Sequence, residues 1–147
     1  VFGCHGHYSA AKWAMEGMSE ALAFETAEFN IRVALVEPGS VPTPAWEKGT
    51  PPPEDTKYGN SLQRLMDWAT HTMKTPATTL QVAEAVAHAI ESDTPHFRYP
   101  VGVDAVEDIA GRASVTDDEW VEMNRLQGDD FARRWKEVIG VDYFGAS

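Results

Sequence analysis

The chain has 147 residues, 43% of them hydrophobic and 10% aromatic, which suits one domain with a real core and argues against general disorder. Its formal net charge of −11 weighs against nucleic-acid and anionic-membrane binding, because both need a basic patch to meet phosphates or headgroups. Cys4 is the single cysteine, so no intrachain disulfide forms and the composition fits a reducing, cytoplasmic setting.

No apolar run approaches the roughly 18 residues of a membrane span. Val1 is not an initiator methionine, and Val1 to His7 reads as the interior of a domain, so the lack of a leader is weak evidence on targeting.

From Tyr8 to about Phe29 there is neither proline nor a polar break, and Met15, Met18 and Leu22 with Ala11, Ala14 and Ala21 recur at helical spacing. This predicts a helix whose stripe meets a core or a subunit interface. Gly17 inside it suggests close approach to another backbone, and Asn30 suits a left-handed cap. On that helix Tyr8 and Lys12 are four residues apart and share a face, so the ammonium is placed to favour the phenolate of a side chain that ordinarily titrates near about 10.

Ile31 to Val36 is a short apolar run ending at Glu37-Pro38-Gly39 and reads as a buried strand of a parallel sheet. In open α/β sheets ligands lie beyond the carboxyl ends of strands, which puts Ser40 to Pro44 beside the ligand. The prolines between Pro42 and Pro53 predict a long lid-like loop to about Asp55. Helical spacing resumes from Thr56 to Met73 and again from Thr79 to Ser92, the second opened by a Thr78/Gln81 capping box.

Phe97 to Val101 predicts a second strand, with Pro100 favouring an edge or strand end. A short helix follows from Asp104 to Arg112. Thr116 and Glu119 then form another capping box, opening an acidic helix carrying Trp120, Met123 and Leu126 and continuing past Gly128 to Phe131, Trp135 and Val138. Trp120, Trp135, Tyr143 and Phe144 either pack the tail onto the body or form a partner surface.

Tyr8-Ser9-Ala10-Ala11-Lys12-Trp13-Ala14 with Gly17, then Ile31-Arg32-Val33 leading to Pro38-Gly39-Ser40-Val41-Pro42-Thr43, resembles the C-terminal half of a short-chain dehydrogenase/reductase. Arg98-Tyr99-Pro100-Val101-Gly102 is similar to the last sheet strand of members acting on steroid-like or retinoid-like alcohols. The resemblance implies an α/β fold, the C-terminal part of a Rossmann-type doubly wound parallel sheet whose N-terminal half is absent. It divides the chain into residues 1–112 and an acidic helical extension, 113–147.

It also implies hydride transfer between NAD or NADP and an alcohol or ketone. Tyr8 would be the general acid/base, and Lys12 would hold the nicotinamide ribose and tune the phenol. Pro38, Gly39, Val41 and Thr43 would complete the cofactor-binding set, and Trp46, Tyr58, Leu62 and Met66 would line the substrate side. A homodimer or homotetramer paired through the Tyr8 helix is expected.

The family's glycine-rich phosphate turn, catalytic serine and supporting asparagine lie upstream of such a helix, and no Gly-x-x-x-Gly-x-Gly cluster occurs here. The chain alone is therefore expected to be inactive or nearly so. Two other readings stay open. One is a non-enzymatic truncated oligomerisation or interaction module. The other is a small metal site using Cys4, His5 and His7, three ligands too crowded to form a spaced partner pair, so that no metal is expected.

Overall fold

The computed structural model describes residues 2–48 and 56–145. Helix α1 spans Gly6–Thr26 and continues as a 3-10 turn, Ala27–Phe29, which Asn30 ends in the left-handed conformation at φ 56°. Strand β1 is Leu35–Pro38, and a 3-10 turn covers Pro44–Lys48. Then come α2 (Gly59–Thr72), α3 (Thr79–Glu91), β2 (Arg98–Val101), α4 (Val103–Ala113), α5 (Asp117–Met123) and α6 (Gly128–Ile139). Both expected capping boxes are present, Thr78 with Gln81 and Thr116 with Glu119, each satisfying helix N–H groups that have no intrahelical acceptor.

Strands β1 and β2 pair in parallel, Leu35 opposite Arg98 and Pro38 opposite Val101. The expected strand, 31–36, is displaced toward the carboxyl end. The ladder begins where the Leu35 N–H donates to Phe97 O at 2.7 Å, and it runs through Glu37-Pro38. Residues 31–34 are instead fastened through Arg32, whose guanidinium donates to Ile90 O and Ser92 O at 2.9 and 2.8 Å at the end of α3. That placement also sets a cation against the negative end of a helix. Arg98 ties the sheet to α1, pairing with Glu16 on α1 and with Glu37 on β1.

The expected loop from Pro42 to Asp55 contains the turn Pro44–Lys48; the rest of it, 49–55, lies outside the described residues. The expected single acidic helix breaks at 124–127 into α5 and α6.

The core is built by the tail. Met123, Phe131, Trp135, Ile139 and Tyr143 are buried together, and Phe2, Trp68, Trp120 and Phe144 pack against them. Trp135 stacks on Phe2 at 5.2 Å between ring centroids, and Phe2 meets Trp68 at 5.1 Å, so the tail packs onto the body. Helix α6 comes close to α4 at Gly111, where an added Cβ would lie 2.7 Å from Val138 O and collide with Ile139.

By contrast, α1 buries no residue. Met15, Met18 and Leu22 are exposed, and a Cβ added at Gly17 would meet nothing within 4 Å, so the stripe serves no core in this chain.

Candidate active site

A cleft of about 390 Å³ opens at the carboxyl end of β1, between the first turns of α1, the Pro38-Gly39-Ser40 turn, the Trp46 turn, α2 and α4. Tyr8 and Lys12 both line it. The Lys12 ammonium lies 5.4 Å from the centre of the Tyr8 ring, within cation–π range, so one helical turn brings the two together as their spacing predicts. Tyr8 remains 56% exposed, leaving its hydroxyl open to a ligand. His5 stacks on the same ring at 4.7 Å, and burial holds its imidazole below the ordinary histidine range.

The Pro38-Gly39-Ser40 turn is held from several directions. Gly39 N–H donates to Val101 O at 2.9 Å and Ser40 N–H to Asp104 Oδ2 at 2.6 Å. Ser40 O accepts from Ala77 N–H at 2.9 Å, and the hydroxyls of Ser40 and Thr72 share a hydrogen bond of 2.6 Å. Position 39 must be glycine because the Asp104 carboxylate occupies the space of a side chain: an added Cβ would sit 2.1 Å from Oδ1.

Asp104 is only 6% exposed, and its Oδ1 meets no hydrogen-bond donor among the described residues. One helical turn on, Asp108 accepts from Trp68 Nε1 at 2.8 Å and faces the Tyr143 hydroxyl. Burial pushes its carboxyl up to about 6. The Tyr143 phenol is itself held well above its usual range by burial and by the neighbouring Asp108.

Pro38 and Gly39 thus stand on the cleft wall with Tyr8 and Lys12, whereas Val41 and Thr43 do not line it. Their carbonyls position Trp46, Val41 O accepting from Trp46 Nε1 at 2.8 Å and Thr43 O from Trp46 N–H at 3.2 Å, so that Trp46 reaches the cleft.

Of the other expected lining residues, Tyr58, Leu62 and Met66 are absent from the wall, and Tyr58 and Met66 are exposed. Trp68 is the α2 residue that stands on the wall in their place. Ser40, expected beside the ligand, lines the cleft, whereas sequence reasoning passed over Asp104 and Asp108. The available signal was two carboxyls four residues apart on the helix entered directly from the second strand.

Cys4 is exposed, and among the described residues no group of three or more His, Cys, Asp and Glu side chains is arranged to hold a metal ion.

This architecture is part of a Rossmann-type α/β fold with a site at the carboxyl end of its sheet. A family model described as short chain dehydrogenase matches residues 2–53. An uncharacterized oxidoreductase of Schizosaccharomyces pombe is 30% identical over 120 residues, covering 82% of this chain and 51% of the relative. The 17-beta-hydroxysteroid dehydrogenase type 6 of Mus musculus is 30% identical over 117 residues, covering 68% and 36%. An uncharacterized oxidoreductase of Bacillus subtilis is 29% identical over 101 residues, covering 65% and 36%.

The chain belongs to the short-chain dehydrogenase/reductase family. It spans about half the length of the Schizosaccharomyces pombe relative and about a third of the other two.

Proposed function

We propose that these residues supply the acid/base part of a nicotinamide-dependent site that interconverts an alcohol and a carbonyl compound. The observation that carries this reading is the ammonium of Lys12 over the ring of an accessible Tyr8, in a cleft at the end of β1. NAD or NADP, when bound, supplies or accepts the hydride.

The donor set fits the nicotinamide ribose end of such a cofactor. Lys12 offers three N–H donors to ribose hydroxyls, and the locked Pro38-Gly39-Ser40 turn flanks the place for the ring. Tyr8 donates its phenolic proton to the carbonyl oxygen as charge develops there, and it takes that proton back in the reverse direction.

Residues 1–112 form the part of the domain that carries this chemistry, and 113–147 form an extension that backs the cleft through Trp135 and Tyr143. The lone exposed Cys4 fits a cytoplasmic setting; among the described residues no helix is long and apolar enough to cross a membrane.

Titrating NADH and NADPH into the polypeptide that carries these residues, followed by nicotinamide fluorescence, tests the reading. Lys12→Ala is expected to weaken binding by about tenfold or more with unchanged circular dichroism, at about 1.4 kcal/mol per factor of ten. Unaltered affinity would remove Lys12 from the cofactor site.

A second reading, an interaction module, is favoured by α1 itself. Trp13, Met15, Met18 and Phe24 are exposed, and an open groove of about 890 Å³ runs between α1, residues 31–36 and α3. Both readings accommodate self-association through this face, and we propose a homodimer or homotetramer.

A further inference from the structure

The cleft that holds Tyr8 and Lys12 has an unusual balance of walls. Phe2, Trp13, Trp46 and Trp68 join Tyr8 in presenting aromatic surface to it, while Glu37, Asp104 and Asp108 present carboxyls. Aromatic faces carry negative potential and attract cations, organic ammonium groups above all. Of the three carboxyls, Glu37 is already paired, at 2.8 Å from Arg98.

Among the described residues, no lysine or arginine pairs with Asp104 or Asp108 in that way. Asp104 accepts from a neutral backbone N–H, is nine-tenths buried, and keeps Oδ1 without a donor among the described residues. Asp108 accepts from the neutral indole of Trp68 and faces the neutral phenol of Tyr143. Among the described residues, Lys12 is the one lysine or arginine on the wall, and it lies over the Tyr8 ring. The cleft therefore has a positive end at the exposed Lys12 of α1 and a negative end at α4, where the buried Asp104 lies in surroundings that water screens poorly.

We propose that this cleft selects alcohols and ketones bearing an ammonium group remote from the reacting carbon, the carbinol or carbonyl facing Tyr8 and the ammonium facing Asp104 and Asp108 among the tryptophan rings. The assignment of the reacting end rests on the function proposed above. The negative end acts through its field and its aromatic faces, so it recognises tertiary and quaternary amines, which offer one N–H or none.

Separation of the two groups is required, because an ammonium beside the carbinol would meet Lys12. A neutral alcohol of the same shape fills the same volume but leaves the buried Asp104 and the half-buried Asp108 without a counter-charge.

The test compares a dimethylpiperidinium alcohol with the dimethylcyclohexanol that replaces its nitrogen by carbon. Each is titrated into the 147-residue chain near neutral pH and low salt, with tryptophan fluorescence as the readout. The ammonium alcohol is expected to bind at least about tenfold more tightly, and added salt should erode the difference.

Asp108→Asn preserves an acceptor for Trp68 and should remove most of the preference with unchanged circular dichroism. Asp104→Asn should do the same if Ser40 stays in place. Equal binding of the two alcohols, tighter binding of the neutral one, a preference that survives Asp108→Asn, or no binding of either would overturn the proposal. Hydride transfer plays no part in this readout. Failure of the redox reading would leave the ammonium preference standing, and loss of the preference would leave the roles of Tyr8 and Lys12 untouched.

Discussion

The phenol of Tyr8 and the ammonium of Lys12 meet because one turn of helix separates them, and nothing beyond local geometry is needed to bring them together. That juxtaposition was legible in the sequence. Asp108 was not, because its environment comes from Trp68 on α2 and Tyr143 in the tail, partners that only the tertiary fold assembles. Its burial has a measurable consequence. The folded carboxyl keeps its proton up to about pH 6, whereas the unfolded chain releases it near pH 4. Between these values the folded state binds more protons than the unfolded one, so the contribution of Asp108 to stability is fully present below about pH 4 and is lost as pH rises through 6. The loss is on the order of 3 kcal/mol by the usual 1.36 kcal/mol per pH unit. Asp108→Asn is therefore expected to unfold in urea at a higher midpoint than wild type near neutral pH, and at a similar midpoint in mild acid. A difference between the two proteins that does not vary with pH would contradict this reading.

At the scale of elements, the helices were readable where their signals are local. Thr78 with Gln81 and Thr116 with Glu119 cap helices at the expected residues because a capping box is closed within four residues of chain. Strand β1 was found but displaced, since its bounds are set by the carbonyls of a strand some sixty residues away in sequence. The same distance concealed why Pro38-Gly39 matters. As a dipeptide it is a generic turn; in the fold, Gly39 is the only residue that leaves room for the Asp104 carboxylate, which in turn holds Ser40. Gly39→Ala should force these apart and cost about 1–3 kcal/mol, the usual range for overpacking a tight site. Thermal unfolding read by circular dichroism would show it. A melting temperature unchanged from wild type would mean that the turn yields without strain.

The molecule as a whole inverts what its apolar stripes suggest in isolation. The tail supplies the core, with Trp135, Phe131 and Tyr143 closing over Phe2 and Trp68, while α1, the longest helix and the carrier of Tyr8 and Lys12, buries nothing. Periodicity identifies an apolar face but not the surface that covers it, so Met15, Met18 and Leu22 read equally as core or interface until the packing decides. If copies of the protein pair through this face, Met18→Glu should shift sedimentation velocity toward the monomer without changing the secondary structure. An unchanged distribution would place the subunit contact elsewhere. The central claim, that Tyr8 moves the proton accompanying hydride transfer, is tested most directly by steady-state turnover of the whole polypeptide with NAD(P)H and a ketone, wild type against Tyr8→Phe. Turnover is expected to fall by at least about a hundredfold with cofactor affinity nearly unchanged, and equal turnover in the two proteins would contradict the account.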